Sequence, residues 1–330
     1  MFSKKEIIDI LKDNKNNDEI YLLADKIRKE YIGDEIHLRA LIESSNICKQ
    51  NCLYCGLQSK NKIVTRYRMT KEEILNCAKV AVELGYKTVV LQSGEDDYYS
   101  TEKMCDIIQE LKNLDIAVTL SIGERKYEDY KAFKDAGADR YLLRIETTDE
   151  DLYAKMHPNM DYKNRLNCLY NLKEIGFEVG TGCLVGLQNQ TIESLANDIL
   201  FFNEIDADMI GIGPFIAHPN TPLNETPNGK FELALKVMAI TRIMMKNINI
   251  PATTAMETIE KNGRIKALQA GANVVMPNLT SINYKSKYEI YPNKHTLNLP
   301  YKEEKEELEK MFKKIGRTIS NTKGFRKSIK

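Results

Sequence analysis

Three of the chain's seven cysteines stand together as Cys48, Cys52 and Cys55, in the spacing C-x3-C-x2-C, and the other four are scattered singly. A structural zinc site wants four ligands, and neither His37 nor His157 lies at finger-like spacing from this group. Iron-sulfur clusters take roughly one thiolate per iron, so three cysteines on a four-iron cube leave one iron without a protein ligand. That open iron is a place for chemistry. A structural zinc site or a chance cluster of buried thiols is the alternative use of the same residues.

The elements that must position this loop follow from hydrophobic periodicity. Short apolar runs at 38–43, 87–92, 116–121, 140–146, 178–185, 209–215, 250–254 and 273–277 alternate with longer segments of period near 3.6. Runs of this kind separated by helices predict successive β-α units around a parallel sheet. Eight units predict an α/β chain folded as a complete (β/α)8 TIM barrel. Residues 70–84 predict one of the helices, with Thr70 and Glu73 forming a capping box and Ile74, Ala78, Ala81 and Val82 on one face. Gly85, Gly137, Gly176 and Gly271 each fall between a helix and a strand, where a left-handed cap is expected. Two short helices at 4–11 and 18–31, the second with Ile20, Leu23, Ala24 and Ile27 at helical spacing, are expected to cap the barrel. The expected divisions are 1–34 for this cap, 35–300 for the barrel, and 301–330 for a C-terminal helix and basic tail.

C-x3-C-x2-C with an aromatic before the last cysteine, here Tyr54, resembles the signature of the radical S-adenosylmethionine (SAM) enzymes. The resemblance implies a 4Fe-4S cluster on Cys48, Cys52 and Cys55, SAM chelated at the open iron, and reductive cleavage to a 5'-deoxyadenosyl radical. Barrels of this class gather functional groups at the carboxyl ends of their strands. There the chain carries Ser93, Gly94 and Glu95, then Ser121, then Arg144 and Glu146, with Arg165 on the next helix. SAM needs an arginine for its carboxylate, a carboxylate for its ammonium or ribose, and small residues for close backbone approach. Arg144 and Glu146 also have a plainer use as an interior salt bridge, and Gly94 as a simple turn.

Longer runs carry a closer resemblance. Tyr54-Cys55-Gly56-Leu57, Leu91-Gln92-Ser93-Gly94-Glu95-Asp96, Gly211-Ile212-Gly213-Pro214-Phe215-Ile216, Pro251-Ala252-Thr253-Thr254-Ala255-Met256 and Met276-Pro277-Asn278 resemble the FeFe-hydrogenase maturases of the HydE family. The resemblance implies SAM held by Ser121, Glu146 and Arg165, and a substrate cavity touched by Arg39, Gln92, Thr119, Arg144, Thr253, Thr254, Met276 and Tyr288. It implies work on a small iron-sulfur or amino-acid-derived precursor of the hydrogenase cluster. The implied partners are a tyrosine-cleaving radical SAM maturase, a GTPase scaffold and an external electron donor. Ile145 departs from the family's frequent histidine, and Gln188-Asn189 from its usual Pro-Gly. No cysteine follows Cys183, so a second, C-terminal cluster cannot be built. Two other readings stand beside this one: a carbon-skeleton mutase resembling methylornithine synthase, and a non-enzymatic iron-sulfur carrier. The cysteine-dependent second cluster of biotin synthase has no donors here, where Val118 and Gly180 occupy the relevant strand positions.

Composition narrows the rest. A net charge of +1 gives no reason to expect nucleic acid, and no stretch approaches the ~20 apolar residues of a membrane span. An odd number of cysteines without a secretory leader points to reduced thiols and a cytoplasmic address. Cys77, Cys105 and Cys168 fall on helical segments and are expected to pack as small apolar groups. From Lys310 onward eight lysines and arginines meet no carboxylate. Such a run is expected to be a loose, solvated terminus or a docking arm for an acidic partner.

Overall fold

The computed structural model describes residues 2–13, 15–294 and 299–328. In chain order its elements are α1 (Lys4–Lys12), α2 (Asn17–Tyr31), β1 (Glu35–Leu38), β2 (Ala40–Ser45), α3 (Lys71–Glu83), β3 (Thr88–Ser93), α4 (Thr101–Lys112) and β4 (Ala117–Ser121). There follow α5 (Tyr127–Asp135), β5 (Arg140–Leu142), α6 (Glu150–Met156), α7 (Tyr162–Ile175), β6 (Glu178–Val185), α8 (Ile192–Glu204), β7 (Met209–Pro214) and α9 (Phe231–Met244). The chain closes with α10 (Thr254–Ile259), α11 (Gly263–Gln269), β8 (Val274–Val275), α12 (Ile282–Lys285), α13 (Tyr301–Lys314) and β9 (Thr318–Ile319).

β2 to β7 pair in sequence order as a six-stranded parallel sheet, and β8, β1 and β9 form a second group. Isolated parallel bridges at Met209–Asn249, Pro251–Val274 and Leu41–Asn278 carry the pairing from β7 through residues 249–251 to β8 and on to β2. The seventh apolar run therefore contributes bridges rather than a regular strand, since Pro251 lacks the N–H that a ladder needs. The fourth run is also shorter than its sequence suggests. Regular pairing stops at Leu142, and Glu146 takes a left-handed φ of 65°.

Local chemistry explains the helices. Thr70 accepts from the Glu73 amide while Glu73 accepts from the Thr70 amide, and α3 buries Ile74, Cys77, Ala78 and Ala81. Val82 leaves that face and is exposed. All four helix-to-strand glycines named above have positive φ, between 81° and 109°. Cys77 and Cys168 are buried, Cys105 is part-buried, and all are free thiols.

The two N-terminal helices pack on other helices rather than across the end of the sheet: α1 on α8 and α2 on α9. Leu23 is accordingly exposed, while Ala24 and Arg28 turn inward. The end of the sheet is crossed instead by residues 317–326 of the C-terminal tail, while Lys310, Lys313, Lys314 and Lys327 of the basic run are exposed. β9 pairs with β1, and the buried Arg317 donates to the carbonyls of Leu268 and Ala272 at 3.0 and 2.9 Å. The Lys323 carbonyl accepts from Arg140 and Thr88, and the Gly324 carbonyl from Arg39 and Asn249. Arg326 reaches Asp206, Asp208 and Asn247. These partners lie at the amino ends of the strands, opposite the cysteine loop. Lys330 lies outside the described residues.

Candidate active site

At the carboxyl ends of the strands a cavity of about 350 Å³ opens. Of the residues singled out from sequence, Cys52, Tyr54, Cys55, Gln92, Ser93, Ser121, Arg144, Glu146, Arg165, Thr253, Thr254, Met276 and Tyr288 line it. β3 delivers Gln92 and Ser93 with its last two residues, where its burial gives way to partial exposure. β4 ends the same way at Ser121.

The remaining residues lie behind this lining or away from it. Gly94 packs so closely that an added Cβ would lie 2.3 Å from the Ile47 carbonyl oxygen and 2.7 Å from the Cys48 Cβ. Only glycine lets β3 and the cysteine loop approach this far. Glu95 accepts from the Gln50 side chain at 2.6 Å and from the Glu124 amide at 3.0 Å, which knits the cysteine loop to the loop after β4. Thr119 is fully buried inside β4, its hydroxyl without a partner. Arg39 is not brought to the cavity. It is buried at the amino end of β2, donating to the Met209 sulfur and the Gly324 carbonyl.

The charged centre is Arg144, Glu146 and Arg165. Arg144 and Glu146 form an ion pair at 3.1 Å, yet Glu146 Oε2 and Arg144 Nε are buried without a hydrogen-bond partner. The pair is close but misaligned, so both groups keep capacity for a ligand. Burial raises the Glu146 carboxyl, opposed by Arg144 and Arg165. Its left-handed backbone is uncommon outside glycine and is held by hydrogen bonds to Gly182 and Leu184 on β6. Arg165, near the start of α7, donates to Glu124 at 2.6 Å and to the Arg144 carbonyl. Its helix is capped by Asp161 and ends at Gly176 in the left-handed region.

The three thiols can be tested as cluster ligands on their own chemistry. All are free, and burial raises Cys48, lifts Cys52 well above the ordinary thiol range, and pushes Cys55 up to about 12. Mutual proximity adds to this in Cys52 and Cys55. Thiols so placed gain most from a bound cation, which favours their ionised form. Among the described residues no three such side chains converge on a single-ion point. A multi-iron cluster takes its thiolates at separate irons and requires no such convergence. The residues fit the group.

Several site residues were not singled out from sequence. Lys294 lines the cavity and pairs with Glu43, a fully buried carboxylate on β2 that also accepts from Asn278 at 2.7 Å. A glutamate closing the apolar run 38–43 was the available signal. Lys294 sits in an aperiodic loop and gave none. Tyr54 contacts His157 Nε2 at 2.7 Å, and burial, with Arg165 nearby, drives that imidazole down to about 3, so it is neutral.

Comparison with known proteins gives the family. Residues 42–202 match the model of the radical SAM superfamily. The chain is 31% identical over 274 residues to 3-methylornithine synthase of Methanosarcina acetivorans, covering 82% of this chain and 77% of the relative. The crystal structure of methylornithine synthase (PylB) superposes with a TM-score of 0.85 at 24% identity, covering 96% of this chain and 94% of that one, a likeness of fold. The FeFe-hydrogenase maturase subunit HydE of Thermotoga maritima is 53% identical over 290 residues, 88% of this chain and 83% of the relative. With identity of that level over nearly its whole length, the chain belongs to the HydE family of FeFe-hydrogenase maturases, radical SAM enzymes.

Proposed function

We propose that the cavity binds SAM against a site-differentiated 4Fe-4S cluster on Cys48, Cys52 and Cys55 and processes a small precursor of the hydrogenase H-cluster. The observation that carries this reading is the shared cavity: Cys52, Cys55, Arg144, Glu146 and Arg165 all face it. The chemistry such a cluster supplies when bound is one-electron cleavage of SAM to a 5'-deoxyadenosyl radical.

The chain's own residues do the positioning. Arg165 takes the SAM carboxylate and Glu146 the amino group or ribose, each by a charge-assisted hydrogen bond. Ser93 and Ser121 offer hydroxyls beside them, while Gly94 and Glu95 hold the cysteine loop against β3 and β4. Gln92, Arg144, Thr253, Thr254, Met276 and Tyr288 line the substrate end, where Gln92 donates to the Tyr288 hydroxyl at 3.2 Å. Thr119 supports that end from behind. Arg39 belongs instead to the tail-facing layer. The apolar remainder of the lining, including Leu142, Phe215 and Ile216, excludes water from a reactive radical.

The bridges beyond the six-stranded sheet support a complete (β/α)8 barrel over residues 35–300, with the helices of 1–34 packed on its flank and residues 317–326 sealing its amino end. The reading includes a tyrosine-cleaving radical SAM maturase and a GTPase scaffold as partners, an external electron donor and a cytoplasmic address. Among the described residues no helix is long and apolar enough to cross a membrane.

Anaerobically reconstituted protein, reduced and given SAM, is expected to release 5'-deoxyadenosine. A carrier without enzymatic activity would release none. Identity of 31% to a methylornithine synthase favours a carbon-skeleton mutase as the second reading. Formation of 3-methylornithine by the reduced, SAM-supplied protein would select it over the maturase.

A further inference from the structure

The cysteine loop is flanked by an unusual use of arginine. Residues 56–70 carry Lys60, Lys62, Arg66 and Arg68 and no aspartate or glutamate. Arg68 has a carboxylate partner in Asp96 at 2.8 Å, but Arg66 does not use one. Its four hydrogen bonds all go to backbone carbonyls: Asn46 at 2.6 Å, Leu57 at 2.8 Å, Gln58 at 2.7 Å and Asn61 at 3.0 Å. Asn46 precedes Cys48 by two residues and Leu57 follows Cys55 by two, so one planar guanidinium joins both flanks of the loop.

The acceptors are themselves fixed. Asn46 donates to the Thr65 and Lys287 carbonyls and accepts from the Tyr67 amide, while the Asn61 side chain donates to the Gly56 carbonyl at 2.8 Å. Two arms of backbone are thus turned to aim their carbonyls at a single fork of N–H groups. Carbonyl dipoles satisfy the donors but leave the full positive charge in place, on a part-buried group. That charge is held between the two flanks of the loop, two residues from Cys48 on one side and two from Cys55 on the other.

We propose that Arg66 is a positioning residue for the cluster loop: it clamps the backbone on both sides of Cys48 and Cys55 and holds an unneutralised positive charge beside the anionic group they bind. The proposal rests on the cluster reading above. The clamp presets the loop before iron arrives, which lowers the ordering cost of assembly. The charge favours the more negative, reduced state of the bound group.

Two full-length variants test it, Arg66→Gln and Arg66→Lys, beside the parent. In metal-free protein, amide exchange over residues 46–61 is expected to quicken about tenfold in both, since neither side chain reproduces the fork. After anaerobic reconstitution, Arg66→Gln is expected to lose iron faster to a chelator and to show a more negative midpoint potential by electron paramagnetic resonance. Arg66→Lys keeps the charge and is expected to return the potential to that of the parent. Parent-like exchange and iron retention in both variants overturn the clamp. Faster exchange with the same potential in Arg66→Gln and the parent overturns the role of the charge. If Arg66→Gln does not fold, the exchange and iron retention of Arg66→Lys against the parent decide the clamp, and Arg66→Met takes its place in the potential measurement. A parent that binds no iron contradicts the cluster reading itself, and the metal-free exchange then still decides the clamp.

Discussion

Ending the chain after Ile315 removes β9 and everything that crosses the amino end of the sheet. Four donors lose their acceptors: Arg39 and Asn249 on the Gly324 carbonyl, Arg140 and Thr88 on the Lys323 carbonyl. Arg39, Thr88, Arg140 and Asn249 are all buried. A buried donor without a partner costs ~1–3 kcal/mol. Water reaches an opened end of the sheet, so the low figure applies, and four donors at ~1 kcal/mol each give ~4 kcal/mol before the contacts of Arg317 and Arg326 are counted. Typical domains are stable by only ~5–15 kcal/mol. The truncated chain is therefore expected to be marginal or insoluble, and a milder probe is Gly324→Ala. Gly324 has φ 63° and its added Cβ would lie 2.8 Å from the His37 ring, a strain of ~1–2 kcal/mol or more. Denaturant midpoints of the parent, Gly324→Ala and the truncation measure both effects. A truncated chain that unfolds cooperatively at the parent's midpoint would refute the sealing role and restore the tail as a free arm.

Arg165→Ala is expected to weaken SAM binding by roughly tenfold to a hundredfold, the loss of ~1.5–3 kcal/mol for a charge-assisted bond, with iron content unchanged. Equilibrium dialysis with labelled SAM measures it, and an unchanged affinity would move the carboxylate role to Arg144. Gly94→Ala forces the β3 end away from Ile47 and Cys48, so iron per chain after reconstitution should fall while secondary structure by circular dichroism holds. Iron content equal to the parent's would show that the close approach is not needed. Asp198 accepts from the Thr148 amide and hydroxyl, and burial raises its carboxyl from the ordinary 3.8 to about 7. The folded chain then holds a proton that the unfolded chain has lost, so stability declines by up to ~4 kcal/mol as pH rises from about 4 to about 7 and levels off above. Asp198→Asn should flatten that part of the profile; the same slope in both proteins would assign it to other groups.

Much of this was legible in the sequence because its signals are local. The cysteine spacing, the strand-end serines and the Thr70–Glu73 box each act over a few residues, and helix-to-strand glycines mark turns that only their backbone permits. What was not legible depends on distant partners. Eight cations without a carboxylate read as a solvated tail, yet Arg317 is buried on carbonyls from β8's neighbourhood and Arg326 on aspartates before β7. Charge patterning along the chain carries no information about acceptors 45 and 120 residues away. Arg39 came from the resemblance alone; it stands at the amino end of its strand, opposite the carboxyl ends where the cavity opens. Lys294 reaches Glu43 across the sheet from an aperiodic loop, a contact set by topology alone.

The most direct measurement is the yield of 5'-deoxyadenosine from anaerobically reconstituted, reduced protein supplied with SAM, compared with Cys48→Ala, Cys52→Ala and Cys55→Ala. The parent is expected to release it and bind close to four irons per chain, the complement of one cubane cluster, and each single variant is expected to release none. Release that persists in all three variants with iron content unchanged would contradict the assignment of the cluster to this loop.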